Sequence, residues 1–158
     1  MGAFCCPELN WKDVPLSKLE SLLEKKGVLL ADGATGTTLF GMGLVSGDAP
    51  ELWNVDEPDK IRALHRGFIE AGSDIVLTNT FGANRHRLKL HNAQDRVREL
   101  NAEAVKLARE VAEESGRDII VGGSIGPTGE LFQPLGALSY EEGVEAFREQ
   151  IEGLIEGG

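Results

Sequence analysis

Three short polar stretches each follow an apolar run, and each carries groups able to hold a small ligand. DGATGTT (Asp32 to Thr38) follows Val28 to Ala31, NTFGAN (Asn79 to Asn84) follows Asp74 to Thr78, and SIGPTGE (Ser124 to Glu130) closes the run that begins at Asp118. In the first, Gly33 and Gly36 let the backbone approach a ligand closely, and N–H groups in such a turn cradle an anion, either phosphate or carboxylate. No Gly-Lys-Ser/Thr follows, so the stretch is not a P-loop, and it lacks the G-x-G-x-x-G dinucleotide pattern. Asp32 argues for a ligand that also carries positive charge, such as an amino acid, and counts against a phosphate site. The second stretch offers Asn79, Thr80 and Asn84 as neutral hydrogen-bonding groups around Phe81. The third offers Ser124 and Glu130 around a Pro-Thr-Gly turn. Each alone is what ordinary turn chemistry also produces; three in succession point to one binding face.

Other residues that could do chemistry are more ambiguous. Trp53, in PELWN, either packs a loop or forms a wall for a cationic methyl-bearing ligand, since aromatic faces attract such groups. The run from Arg85 to His91 reads as a solvated helix start or loop. His86 and His91 lie too far apart for a helical metal pair and lack an acid at a diagnostic spacing. His65 falls in an apolar helical stripe and reads as a core-edge histidine. Cys5 and Cys6 are the only cysteines. Neighbouring cysteines rarely bridge each other, so they read as two reduced thiols, and half a metal site would need further ligands. No Ser/His/Asp or Cys/His set emerges, nor any pair of glycosidase-like carboxylates.

The elements that must position these loops follow from periodicity. Ser17 with Glu20 forms a capping-box pattern, Leu19, Leu22 and Leu23 make a stripe, and Gly27 is a natural C-cap. Val28 to Ala31 reads as the first buried strand. Pro58 suits a first helical turn, with Ile61, Leu64, His65, Phe68 and Ile69 on one face and a stop at Ala71-Gly72. Asp74 to Thr78 is the second strand. A long helix carries Val97, Leu100, Ala104, Leu107, Ala108 and Val111 and ends near Gly116. Asp118 to Ser124 is the third strand. Ser139 with Glu142 then caps a helix whose apolar face is Val144, Phe147, Ile151, Leu154 and Ile155.

Strand, loop and helix thus alternate three times. Continuous apolar strands imply a parallel sheet covered on both faces. Long loops after strands and short turns after helices place the chemistry at the carboxyl ends, as in a TIM barrel or doubly wound sheet. A complete barrel needs about 250 residues, and this chain has 158. The expected fold is therefore α/β: the first three β/α units of a (β/α)8 TIM barrel, truncated, with exposed strand edges that favour homo-oligomers. The expected division is an N-terminal extension and helix over residues 1–27 and barrel over 28–158.

Composition narrows the partners. Hydrophobic residues make up 41% and charged residues 27%, within the range of globular domains. The net charge of −10 disfavours nucleic acid and anionic membranes, which both reward excess Lys and Arg. No apolar run reaches the roughly 18 residues of a membrane span, and the N-terminus lacks a secretory pattern. A cytoplasmic location is expected.

Taken together, LLADGATGTTL, APELWN, AGSDIVLTNTFGANRHRLKLH and VGGSIGPTGE closely resemble the homocysteine S-methyltransferase family, in its order and spacing, over roughly Val28 to Gly158. The variant of these motifs looks most like the betaine–homocysteine methyltransferase branch, with the homocysteine module of cobalamin-dependent methionine synthase a near relative. The resemblance implies a TIM barrel in which zinc binds the homocysteine sulfur as thiolate, which takes a methyl group from a small donor to give methionine. Betaine is the donor favoured by resemblance; a methylcorrinoid and S-methylmethionine stay open. By resemblance, the backbone of Gly33, Ala34 and Thr35 would hold the homocysteine carboxylate and Asp32 its amino group. Asn79, Thr80 and Ser124 would line the pocket floor, and Trp53 would lie near the donor. The family's zinc cysteines, late in the barrel, have no counterpart in this sequence, and Cys5-Cys6 does not match their position. This implies zinc only for a complete enzyme and an inactive truncated portion here. The alternative is a non-catalytic half-barrel that binds a small zwitterion or self-associates.

Overall fold

The computed structural model describes residues 17–158; Cys5 and Cys6 lie outside them. Helix α1 (Lys18–Lys26) begins where expected. The Ser17 hydroxyl accepts from the Glu20 N–H while the Glu20 carboxylate accepts from the Ser17 N–H, and Gly27 closes the helix at φ 76°. Helix α2 (Thr35–Gly41) follows, then the short α3 (Trp53–Asp56) and α4 (Pro58–Glu70). Strand β1 (Ile75–Leu77) leads through α5 (Arg85–Leu88) into the long α6 (Val97–Glu114), and β2 (Ile120–Gly122) leads into α7 (Tyr140–Glu156).

The sheet is parallel, as expected, with Ile75 opposite Ile120, Val76 opposite Val121 and Leu77 opposite Gly122. The expected first strand is corrected. From Val28 to Ala31 only a single parallel bridge forms, Ala31 to Ile75, supported by the Asp74 and Ile75 amides donating to Leu30 O. The side chains explain why it goes no further: Val28 is 78% exposed and Leu30 56% exposed, so little burial rewards extending the strand. Coverage is also one-sided. Val76 is fully buried toward the helices, whereas Leu77 is exposed.

The core lies between the sheet and helices α4 and α6. Leu39, Leu44, Ile61, Leu64 and Leu107 form one cluster, and Ile69, Val76, Val111, Ala112 and Ile119 another. Below the strands, Asp74 receives Lys26 Nζ at 2.5 Å, the Leu30 N–H at 3.1 Å and Arg117 at 3.3 Å. These contacts, led by Lys26, hold its carboxyl below the usual range.

Two further readings change. His65 is in the interior, not at the core edge: it is fully buried. The inner face of α7 is Gly143, Ala146, Gln150 and Gly153, while Val144, Ile151 and Ile155 are exposed. The small residues win because α7 packs so closely on α6 that a Cβ at Gly153 would lie 2.9 Å from Arg98 Cα. Larger apolar side chains cannot occupy that seam.

Candidate functional site

The loops after the strands enclose a cavity of about 400 Å³, within the range of small-ligand pockets. Thr35, Asn79, Thr80 and Ser124 line it, together with Glu51, Asp48, Thr78, Phe81, Arg87 and His91. Asp32, Gly33, Ala34 and Trp53 are not among the lining residues.

The Gly/Thr stretch is less a turn than a helix start. Ala34 takes a left-handed conformation (φ 50°, ψ 27°) and α2 begins at Thr35. The hydroxyls of Thr37 and Thr38 donate back to Ala34 O at 3.1 and 2.9 Å. First-turn amides of a helix have no intrahelical acceptor, so Thr35 and Gly36 offer N–H groups at the cavity wall. Asp32 is anchored on one side: Oδ2 accepts from the Leu77 N–H at 3.0 Å. Its Oδ1 is buried and has no partner among the described residues. Removal from water raises the carboxyl above its ordinary value against the pull of the Leu77 amide.

At the strand ends a closed ring of hydrogen bonds joins the second and third loops. The Ser124 N–H donates to Thr78 Oγ1 at 3.0 Å, and Thr80 Oγ1 donates to Ser124 O at 2.7 Å. Thr80 has one hydroxyl proton, so in the 2.6 Å contact between the two threonines Thr78 is the donor. Thr80 is thus a fully engaged floor, and Ser124 is held by its backbone.

Asn79 braces rather than presents. Its Nδ2 donates to Pro50 O at 2.8 Å and Asn54 Oδ1 at 3.0 Å. Asn54 in turn donates to Asn79 O at 2.9 Å and Leu100 O at 3.1 Å. Asn84 caps α5 by accepting from the Arg87 N–H at 3.1 Å. On the far side, Gln150 Nε2 donates to Thr80 O at 2.8 Å and Asn101 Nδ2 to Ala83 O at 2.9 Å. Sequence reading passed over Glu51, Asn54, Thr78, Asn101 and Gln150. A signal existed for Asn101, a lone amide inside the apolar stripe of α6, on the same face as Val97, Leu100 and Ala104.

Trp53 packs on the cluster of Leu39, Leu44, Ile61, Leu64 and Leu107, and Lys60 Nζ sits 4.2 Å from its ring centroid. Among the described residues no group of three or more His, Cys, Asp or Glu is placed to hold a metal ion, and no helix is long and apolar enough to cross a membrane.

Comparison with known proteins gives the arrangement a context. A family model for homocysteine S-methyltransferase matches residues 29–158. The methionine synthase of Mycobacterium tuberculosis is 37% identical over 140 residues, covering 83% of this chain and 12% of that protein. The methionine synthase of Mycobacterium leprae is 35% identical over 149 residues, covering 89% and 12%. Among solved structures, the metallated form of the homocysteine methyltransferase MmuM from Escherichia coli superposes with a TM-score of 0.73 at 28% identity, covering 90% of this chain and 55% of that one. Its oxidized form gives 0.70 at 29% identity, covering 90% and 54%. The chain therefore spans about half of the MmuM chain and 12% of the methionine synthases.

Proposed function

The chain belongs to the homocysteine S-methyltransferase family, and from that premise we propose that it supplies the homocysteine-binding part of a (β/α)8 barrel that methylates homocysteine to methionine. The observation that carries this reading is the buried, unpartnered Oδ1 of Asp32 beside the open amides at the start of α2. A desolvated carboxylate oxygen lacking a partner is costly unless a cation arrives. An α-ammonium group there would supply one, while the same molecule's carboxylate meets the backbone of Gly33 to Thr35. Thr80 and Ser124 then form the floor under the side chain, and Asn79 fixes the height of that floor through Asn54. Alignment in a dry pocket is what a methyl transfer between two small molecules most needs.

The metal is a separate matter. Zinc is proposed for the complete enzyme on family resemblance, but the described residues do not fit such a centre, since they contain no cysteine and no cluster of candidate ligands. The described residues serve binding and orientation alone. We further propose betaine as the favoured donor, with S-methylmethionine and a methylcorrinoid as the alternatives.

Calorimetric titration of L-homocysteine into the 158-residue chain tests the grip. Asp32→Asn keeps an acceptor for the Leu77 amide and removes the charge, so affinity should fall at least tenfold with the fold intact. Unchanged affinity would show that Asp32 does not face the amino group. The chain by itself should neither bind stoichiometric zinc nor transfer a methyl group to homocysteine; turnover by these 158 residues would overturn the assignment of catalysis to a complete barrel.

A further inference from the structure

The loop from Asn79 to Asn84 is shaped by side chains from distant elements more than by its own sequence. Asn54 donates to Asn79 O at 2.9 Å, Gln150 to Thr80 O at 2.8 Å and Asn101 to Ala83 O at 2.9 Å. These three grip carbonyls. Glu51, in the short turn Pro50–Leu52, grips an amide: its Oε1 accepts from the Gly82 N–H at 2.7 Å. All four side chains are buried, Glu51 to 7% exposure. A carboxylate that accepts from a backbone N–H makes a stronger bond than a neutral acceptor does.

The residue facing Glu51 is fitted to it. Gly82 is not among the positive-φ glycines, so its conformation does not call for glycine. Space does: a Cβ there would stand 2.7 Å from Glu51 Oε1 and 3.2 Å from Glu51 Cδ. The tie continues into the third loop. Phe81 O, one residue before Gly82, accepts from the Gly126 N–H at 3.0 Å, and Thr80 Oγ1 donates to Ser124 O at 2.7 Å. Glu51 therefore joins the first loop to the second at the point where the second meets the third. We propose that Glu51 is a positioning residue for homocysteine: it acts through Gly82, holding the loop that carries Thr80 in its binding geometry before the substrate arrives. This rests on the homocysteine-binding reading above. Without that acceptor the far end of the loop is released, and its ordering is charged to each binding event, which lowers affinity.

Calorimetric titration of L-homocysteine into the full chain, at conditions where each variant is folded, separates positioning from general support of the fold. Glu51→Ala should weaken binding roughly tenfold, the scale of one lost hydrogen bond to a charged group. Glu51→Gln keeps an oxygen for the Gly82 amide and should stay within about threefold of wild type. Gly82→Ala should weaken binding roughly tenfold in the wild-type background, because its methyl group displaces the carboxylate. On top of Glu51→Ala it should cost less than about twofold, since the clashing atoms are gone. In the wild type, the Gly82 amide should be protected from hydrogen exchange before homocysteine is added, a readout that needs no variant to fold. Equal losses for Gly82→Ala in both backgrounds, a Glu51→Gln chain as weak as Glu51→Ala, or a freely exchanging Gly82 amide overturns the role of Glu51 and leaves the homocysteine grip standing. Failure of the wild type to bind homocysteine at all removes both.

Discussion

Lowering the pH from 7 to 4.5 is expected to remove about 2.5 kcal/mol of folding stability through His65. The imidazole is fully buried in α4. Neither Nδ1 nor Nε2 has a partner among the described residues, and burial pushes its pKa down from 6.5 to about 4. The native state therefore holds the neutral ring while the unfolded chain takes up a proton near pH 6.5. The stability contributed is fully present above that value and is lost as pH falls toward 4. The window is separable from acid denaturation of the carboxylates. Glu20, Asp74, Glu99 and Glu142 are all held below their ordinary values by hydrogen bonds and ion pairs, so their contributions start to be lost only at about pH 5 and go mostly below the range in which His65 titrates. Against a typical total of about 5–15 kcal/mol, the His65 effect is large. His65→Leu should flatten the curve between pH 6.5 and 4.5. It should also be no less stable at pH 7, because it replaces two unpartnered polar atoms by apolar ones. Urea denaturation at fixed pH steps measures both. A wild-type midpoint that does not move over this window, or a slope that survives in His65→Leu, would mean the ring is reached by water or a partner.

What the sequence disclosed, and what it withheld, follows from the range of the forces involved. Helix starts set by adjacent residues were legible: Ser17 with Glu20 and Ser139 with Glu142 form the reciprocal caps expected of them. The amphipathic stripes of α4 and α6 were legible for the same reason, since periodicity is a local property. The first strand was not, because a strand is completed by its neighbours, and Val28 and Leu30 find too little to bury against. The face of α7 was misjudged because apolar periodicity favours large side chains, whereas closeness to α6 favours small ones. In the site, the chemically suggestive residues Thr35, Asn79, Thr80 and Ser124 do meet at one cavity. The residues that hold them there do not announce themselves. Asn54, Asn101 and Gln150 act through carbonyls distant in sequence, as Gln150 does on Thr80 across 70 positions. Glu51 resembles any first-turn acid until Gly82 is seen beside it.

That same α6–α7 seam gives the second large effect. Gly153→Val should cost about 3 kcal/mol, the upper range for forcing extra atoms into a packed contact. A Cβ at Gly153 would meet Arg98 Cα at 2.9 Å, Arg98 O at 3.0 Å and Asn101 Cβ at 3.0 Å. Two of these are backbone atoms of α6 and cannot swing aside. The ion pairs that fasten the seam, Arg98 with Glu152 and Glu156, would have to stretch with it. They offer little resistance, because exposed pairs contribute roughly 0–1 kcal/mol. The control is Gly67→Ala on the exposed side of α4, where an added methyl group meets nothing within 4 Å. There the ordinary helix preference for alanine acts unopposed, and stability should rise by up to about 1 kcal/mol. Opposite signs at two helical glycines separate packing from propensity; equal signs would refute the close seam. The consequence reaches the pocket. Gln150 is one turn before Gly153 and its amide holds Thr80 O, so lifting α7 withdraws support from the floor residue. Gly153→Val should therefore weaken homocysteine binding more than Gly67→Ala does, even under conditions where both variants remain folded.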